Sequence, residues 1–389
     1  MSDDASIRRR VRTVAGHLGL RTEHAAVLER QAYLATAAPV VIVGGAVLDV
    51  QAWPARGQAL RQGTTVPGVV RHVAGGVARN VCAVLAALLH PERETSLLVT
   101  ALGDDSPSQT LLSNLTALRT CTRGVRVCPG QTTPCVCAVF SNDGSADIVA
   151  AVAACDLVES HLTVDWIRQF RSDIARAPLV VLDANVTADT LLATARMASA
   201  AGVPVFVEPV SVAKATRSTD ALAHITWIKP NTAELCAISA GLGVEIVAGA
   251  QPRTSAEALR ILRPAIEAVL SAGCMHVITT LGPAGVLLSS RDSSSVGFTH
   301  WALPAAPVEK VVSTAGAGDA LVAGFISSIT RDSFGDSITS AAAARHALAT
   351  GTAVAAAVVQ HVDNAPPVEA FAAVRLVEAA QRRAGYVLA

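Results

Sequence analysis

The chain has 389 residues, enough for one large α/β domain with an appendage or for two domains. Hydrophobic residues make up 51% and aromatics only 3%, so the core has to be built mainly from Ala, Val, Leu and Ile. Lys+Arg and Asp+Glu both number 31, and a net charge of zero gives no electrostatic ground for binding nucleic acid or a membrane surface.

Residues 1–37 are charged and read as a helical extension ahead of the first strand, with an arginine cluster RRRVR at 8–12. Within them RVRTVAGHL (10–18) resembles an N-terminal peroxisomal targeting pattern, and it reads equally well as a solvated amphipathic helix. QAYLATAAPVVIVGGAVL (31–48) approaches the length of a membrane span, but Pro39 and the Gly44–Gly45 pair bracket a short β-branched run, VVIV. That pattern is a buried strand between breakers. No charged n-region leads into an apolar h-region, so the expected location is intracellular, in the cytoplasm or a peroxisome-type organelle.

From residue 38 the chain alternates. Apolar, β-branched runs at 40–44, 97–102, 179–184, 203–209, 225–230, 276–282 and 285–290 predict strands. Ala/Leu-rich stretches at 77–89, 106–118, 188–201, 255–272 and 319–330 predict helices between most of them. Strands that are apolar throughout argue for a mostly parallel sheet covered on both faces, whose ligands sit at the carboxyl ends of the strands. Segments 51–76 and 133–152 carry Gly/Pro turns in place of helices, and the second predicts a hairpin around SNDGS. They suggest a small second sheet, either a lid or an oligomer contact. The eight cysteines contain no CxxC pair, and Cys135 and Cys137 share a face if their segment is a strand. They read as buried free thiols. His72, His161, His276 and His346 lack ligand spacing and read as surface or satisfied core residues.

The chemistry concentrates in STAGAGDALVAGF (313–325), where a glycine-rich turn runs into Asp319 and then an apolar helix. No GxxxxGK[ST], GxSxG or HExxH string occurs, and no GxGxxG follows a strand. A nest of N–H groups at Gly316, Ala317 and Gly318 suits an anion, and a carboxylate beside it suits an acceptor hydroxyl in phosphoryl transfer. The competing reading is that Asp319 caps the helix. Asp49 falls just past the first strand, where a turn residue is the alternative, and GGVARN (75–80) puts Asn80 in the first turn of a helix. Carboxylate and carboxamide groups there suit the vicinal hydroxyls of a sugar. Arg79, beside Asn80, reads as a surface residue rather than a substrate contact. In KPNTAE (229–234), Asn231 and Glu234 share a helical face that suits a hydrated magnesium ion.

GGVARNVCAVLAAL and STAGAGDALVAGF, in order with KPNTAE and TTLGPAG (279–285), resemble the ribokinase (PfkB) family of carbohydrate and nucleoside kinases over residues 39 to about 375. The segments AAVAACDLVESHLT (150–163), LDANVT (182–187) and EPVSVAKA (208–215) resemble the pseudouridine-kinase branch. The resemblance implies a ribokinase-like three-layer αβα sandwich with a small β lid, from 51–72 and 133–150, in a kinase domain spanning 38–389. It implies ATP- and Mg2+-dependent phosphorylation of the 5′-hydroxyl of pseudouridine. The alternatives are another nucleoside, a free pentose, or a non-catalytic nucleoside sensor. It implies Asp319 as base, with Gly316, Ala317 and Gly318 as the anion hole. Asp49, Gly75, Gly76 and Asn80 would hold the ribose, with Thr133 near the substrate. Lys229, Asn231, Thr280, Gly282 and Gly285 would line the nucleotide and its phosphates, with Glu234 ordering magnesium indirectly.

Three departures stand out. Ser313, Thr314 and Ala315 occupy positions where ribokinases help bind K+ through the first and third residues, which leaves K+ dependence open. Ala154 stands where pseudouridine kinases often carry an acid, and Glu208 where they often carry Asp. The resemblance further implies a homodimer through the lid sheets and, in the pathway, a separate pseudouridine-5′-phosphate glycosidase.

Overall fold

The computed structural model describes residues 38–388 apart from 56, 62, 90–93, 142–147, 247–251, 292–296, 333–337, 362, 364, 367 and 373. The N-terminal extension, its pattern at 10–18 and most of the SNDGS turn lie outside the described residues.

The VVIV run forms β1 (Val40–Val43), buried along its whole length. It lies inside a ten-stranded sheet that also contains β4 (Ser96–Gly103), β5 (Cys121–Cys128), β8 (Val180–Asp183), β9 (Val205–Glu208), β10 (Trp227–Ile228) and β11 (His276–Thr280). These pair in parallel in the order β11-β10-β9-β8-β1-β4-β5. Beyond β11 the sheet continues antiparallel through β12 (Val286–Arg291), β13 (Phe298–Leu303) and β14 (Tyr386–Leu388).

Alternate residues of each central strand enter two different cores, which explains why the strands are apolar throughout. Val41, Val43, Val180, Leu182, Val205 and Val207 face one; Val40, Ile42, Val181 and Phe206 face the other. The longer helices are α1 (Val77–Leu88), α2 (Ser106–Ala117), α3 (Ala188–Ala200), α4 (Thr232–Gly241), α5 (Ser255–Ser271), α6 (Ala317–Asp332), α7 (Ala341–Val358) and α8 (Val374–Ala384). Helices α3, α4 and α5 cover the first face, and α1, α2, α6, α7 and α8 the second. The expected three-layer α/β sandwich is therefore present. No helix among the described residues is long and apolar enough to cross a membrane.

The few aromatic rings are concentrated under α6. Phe325 lies 5.5 Å from both Phe206 and Trp227, which fixes the helix against the ends of β9 and β10. On its other side α6 meets α7 through glycines. A Cβ built on Gly351 would lie 2.7 Å from the Leu321 carbonyl oxygen, and one on Gly324 would lie 2.9 Å from Gly351 Cα. Gly351→Ala gains about 1 kcal/mol of helix propensity but overpacks a backbone contact, which costs about 1–3 kcal/mol. Because backbone gives way less easily than a side chain, we expect net destabilisation, seen as a lower urea midpoint at unchanged m-value.

A second sheet has the order β3-β2-β6-β7, built from β2 (Val47–Pro54), β3 (Gly68–Gly75), β6 (Cys135–Phe140) and β7 (Ile148–Ala154). Strands β2–β3 and β6–β7 are antiparallel hairpins, joined by the parallel β2–β6 pair. Strand β2 begins earlier than expected, so Asp49 is not a turn residue. It lies within β2, opposite Val73 and Val136. Val69, Val70, Val149 and Val152 are exposed on this sheet.

All eight cysteines are free, but only Cys82, Cys121, Cys128 and Cys274 are buried, and Cys137 is exposed. His72 is exposed. His276 is a satisfied core residue, with Nδ1 2.8 Å from Ser290 Oγ and Nε2 2.8 Å from the Thr339 carbonyl oxygen.

Candidate active site

The parallel strands deliver a row of polar groups at their carboxyl ends. Strand β1 runs into Gly44–Gly45, β8 ends at Asp183, β9 at Glu208, and β10 runs into Lys229. Asp183 and Glu208 are directly paired across β8 and β9. Asp183 is buried, and its carboxylate accepts from the amides of Gly45 (2.9 Å), Ala78 (3.0 Å) and Asn185 (3.0 Å). A Cβ on Gly44 would lie 2.1 Å from Asp183 Cγ, so the β1 turn closes on the carboxylate only with glycine there. Asp183 thus fixes the turn after β1 and the start of α1, and it carries no role in the sequence reading.

Asp319 does not cap its helix. Helix α6 begins at Ala317, which places Asp319 inside the first turn. Gly316 precedes the helix at φ 75°, a conformation suited to glycine, and its carbonyl accepts from Ala320 N–H at 2.8 Å. The side chain turns inward: Asn80 Nδ2 donates to Asp319 Oδ2 at 2.8 Å, and only 9% of the residue is exposed. Burial pushes the Asp319 carboxyl up to about 6, against the pull of Asn80 and Lys229 and with added repulsion from Asp183 and Asp49. A carboxylate of this kind is ionised at neutral pH and basic enough to take a proton.

Arg79 corrects the surface reading. It is buried, and its guanidinium donates to Asn114 Oδ1, to the Ala74 carbonyl and to Asn80 Oδ1. Asp49 approaches the same region from β2. Its carboxyl is also pushed up to about 6, by burial first, with the Arg79 charge opposing. A Cβ on Gly75 would lie 2.2 Å from Asp49 Oδ2, and one on Gly76, at φ 89°, would lie 2.5 Å from the Gly45 carbonyl oxygen. Both glycines are therefore required by close approach. Thr133 is buried and tied to the rim of this region: its N–H donates to Asp105 Oδ2 at 2.8 Å, and its hydroxyl accepts from Gly103 N–H at 3.1 Å.

The expected nucleotide side gathers at β10 and β11. Lys229 Nζ pairs with Glu208 Oε2 at 2.8 Å, both residues buried. Burial pulls the Lys229 ammonium down, but the carboxylates of Glu208, Glu234 and Asp319 outweigh it and hold the lysine charged. A Cβ on Gly318 would lie 3.2 Å from Lys229 Nζ, so this glycine lets the ammonium face the first turn of α6. Asn231 is bridged to Thr280 on β11. The spacing of Asn231 and Glu234 first serves a capping box: Asn231 Oδ1 accepts from Glu234 N–H and Glu234 Oε2 from Asn231 N–H, both at 2.9 Å. Gly282 (φ 59°) and Gly285 (φ 93°) flank a short 3-10 turn after β11. Ser313 Oγ accepts from Ala315 N–H at 3.2 Å.

Two features escaped the sequence reading besides Asp183. Asn185 Oδ1 accepts from Lys214 Nζ at 2.8 Å, joining the segments after β8 and β9. Val210, two residues past β9, holds φ 71°, a strained conformation for a β-branched residue of the kind that clusters at functional sites.

A family model described as "pfkB family carbohydrate kinase" matches residues 38–370. A curated protein of Arabidopsis thaliana named "Pseudouridine kinase" is 32% identical over 370 residues, covering 84% of this chain and 92% of that one. A protein of the same name from Escherichia coli strain K12 is 28% identical, covering 74% and 82%. Among solved structures, Arabidopsis thaliana ribokinase complexed with ribose and ATP superposes with a TM-score of 0.70 at 20% identity, over 88% of this chain and 99% of that one.

Proposed function

The chain belongs to the pfkB family of carbohydrate kinases, and from that premise we propose that it transfers the terminal phosphoryl group of ATP to the 5′-hydroxyl of pseudouridine. The observation that carries the proposal is the 2.8 Å contact between Asn80 and Asp319. It joins the two stretches on which the family resemblance rests, 239 residues apart, at one point beside a helix N-terminus. The choice of nucleoside is supported by the two relatives named pseudouridine kinase.

In this reading Asp49 and Asn80 hold the ribose hydroxyls, while Asp319 orients the acceptor hydroxyl and takes its proton late. The amides of Gly316, just before α6, and of Ala317 and Gly318 in its first turn face the migrating group, where fixed dipoles act without reorganising. Lys229, Asn231, Thr280, Gly282 and Gly285 accommodate the nucleotide. A buried, charged lysine facing a glycine-opened helix start fits an anion of this kind. Glu234 would order magnesium through water with its remaining oxygen, since Oε2 already accepts from Asn231 N–H in the capping box. ATP supplies the phosphoryl group and magnesium offsets its charge. The small sheet carries Asp49, so its closure over the substrate would bring that carboxylate into the site.

The test is ADP formation with ATP, Mg2+ and each of pseudouridine, uridine, adenosine, inosine and ribose, with the phosphorylated position assigned by NMR. Pseudouridine is expected to give the highest kcat/KM, with phosphate on the 5′ oxygen. A preference for ribose or adenosine would replace the substrate. Thermal stabilisation by a nucleoside with no ADP from any member of the panel would make the protein a sensor on this fold.

A further inference from the structure

Asn80 is a carboxamide with two unlike ends, and only one of its two orientations suits an ionised Asp319. Its amide end donates to Asp319 Oδ2 at 2.8 Å, while its oxygen end accepts from Arg79 Nη1 at 3.1 Å. A guanidinium has donors only, so the atom that meets Arg79 has to be the oxygen. A flipped carboxamide would turn N–H toward N–H at Arg79 and oxygen toward carboxylate at Asp319. Arg79 is itself held by other contacts: Nε reaches Asn114 Oδ1 on α2 at 3.2 Å, and Nη1 reaches the Ala74 carbonyl on β3 at 3.0 Å. Only 5% of the residue is exposed.

We propose that Arg79 is a positioning residue that fixes the Asn80 carboxamide with its N–H toward Asp319. This rests on the reading of Asp319 as the proton acceptor. The charged and titratable groups facing Asp319 are Lys229 beyond β10, Glu208 at the end of β9, Asp183 at the end of β8 and Asp49 on β2. Asn80 contributes from α1, and Cys82 on the same helix, Asp49 and Asp363 act on Arg79 itself. Within that set the Asn80 donor is the hydrogen bond that favours the ionised acid, and losing its orientation makes Asp319 harder to ionise.

The experiment compares the acid limb of the kcat/KM–pH profile in wild type, Arg79→Met, Arg79→Lys and Asn114→Ala, alongside melting temperatures. Arg79→Met is expected to move the limb upward by about one pH unit, the scale of one hydrogen bond to a charged group. Arg79→Lys keeps the charge but not the planar fork, and is expected to move it the same way. Asn114→Ala leaves the guanidinium in place without its anchor on α2 and should give a smaller upward move. Arg79→Met also removes the charge that holds the Asp49 carboxyl down, so the two charge-keeping variants decide. A limb at its wild-type position in both overturns the proposal, because a purely structural arginine would alter melting alone. Asp319→Asn, assayed in parallel, separates the two claims. Wild-type turnover there would remove the premise, whereas a dead Asp319→Asn with an unmoved limb in the other variants removes Arg79 only.

Discussion

Asp319→Asn is expected to slow turnover by about 10²–10⁴-fold, the usual contribution of a positioned base, while making the protein more stable. The second half follows from the first. Folding raises the Asp319 carboxyl from 3.8 to about 6, so between those values the folded chain holds a proton that the unfolded chain has lost. Stability therefore falls as pH rises through that window, and the full penalty applies at neutral pH. The shift corresponds to about 3 kcal/mol, and a neutral carboxamide that still offers Asn80 an acceptor should recover about 1–3 kcal/mol of it. Calorimetry at pH 7.5 should show a higher melting temperature, with the gain shrinking toward pH 4. The acid limb of wild-type activity should lie near pH 6. A variant that is both slow and less stable would mean that Asp319 contributes structurally rather than carrying a held-back charge.

Lys229→Met is expected to be the most destabilising single change at the site. It leaves Glu208 buried at the end of β9 without its counter-charge and within range of Asp319 and Glu234. Breaking a buried pair from one side costs about 3–5 kcal/mol, whereas replacing both members with apolar groups is often nearly neutral. Glu208→Leu combined with Lys229→Met should therefore recover most of the loss in urea unfolding. The sign of the pH dependence provides a second check. Burial already pushes the Glu208 carboxyl up to about 8 against the pull of Lys229; with the ammonium gone it rises further, so the single variant should be weakest at high pH and improve as pH falls. Equal losses in the single and double variants would assign the cost to lost side-chain packing. Phosphoryl transfer should be impaired in both, since neither keeps the cation facing α6.

Much of this was legible in the chain because its signals are local. VVIV between a proline and a glycine pair has to be a buried strand, and a sheet of such strands has to be covered twice. Likewise, the glycine turn before Asp319 and the one before Asn80 each announce an unusual backbone. What escaped depends on distant partners. Asp183 is one acid among many until its partners are known, and these are the amides of Gly45 and Ala78, 138 and 105 residues away. Arg79 looks like a surface residue until Asn114 and Ala74 close around it. Asn231 and Glu234 show the reverse problem, since a spacing of three suits both a metal-bearing face and a capping box. Helix α7 lacks an amphipathic stripe because much of its surface is buried, and β13 sets Thr299 and His300 side by side, a break in the apolar run that hides a strand whose last four residues are buried. Asp49 reads as lying just past the first strand because Gly44–Gly45 breaks the pattern after β1 and β2 resumes it at Val47.

The contact between Asn80 and Asp319 also has a consequence for biosynthesis. Asn80 leaves the ribosome 239 residues ahead of Asp319. A nascent chain stopped before Asp319 therefore lacks the contact on which the proposed activity rests, and recovery of that activity during refolding should report completion of both halves of the site rather than of either one.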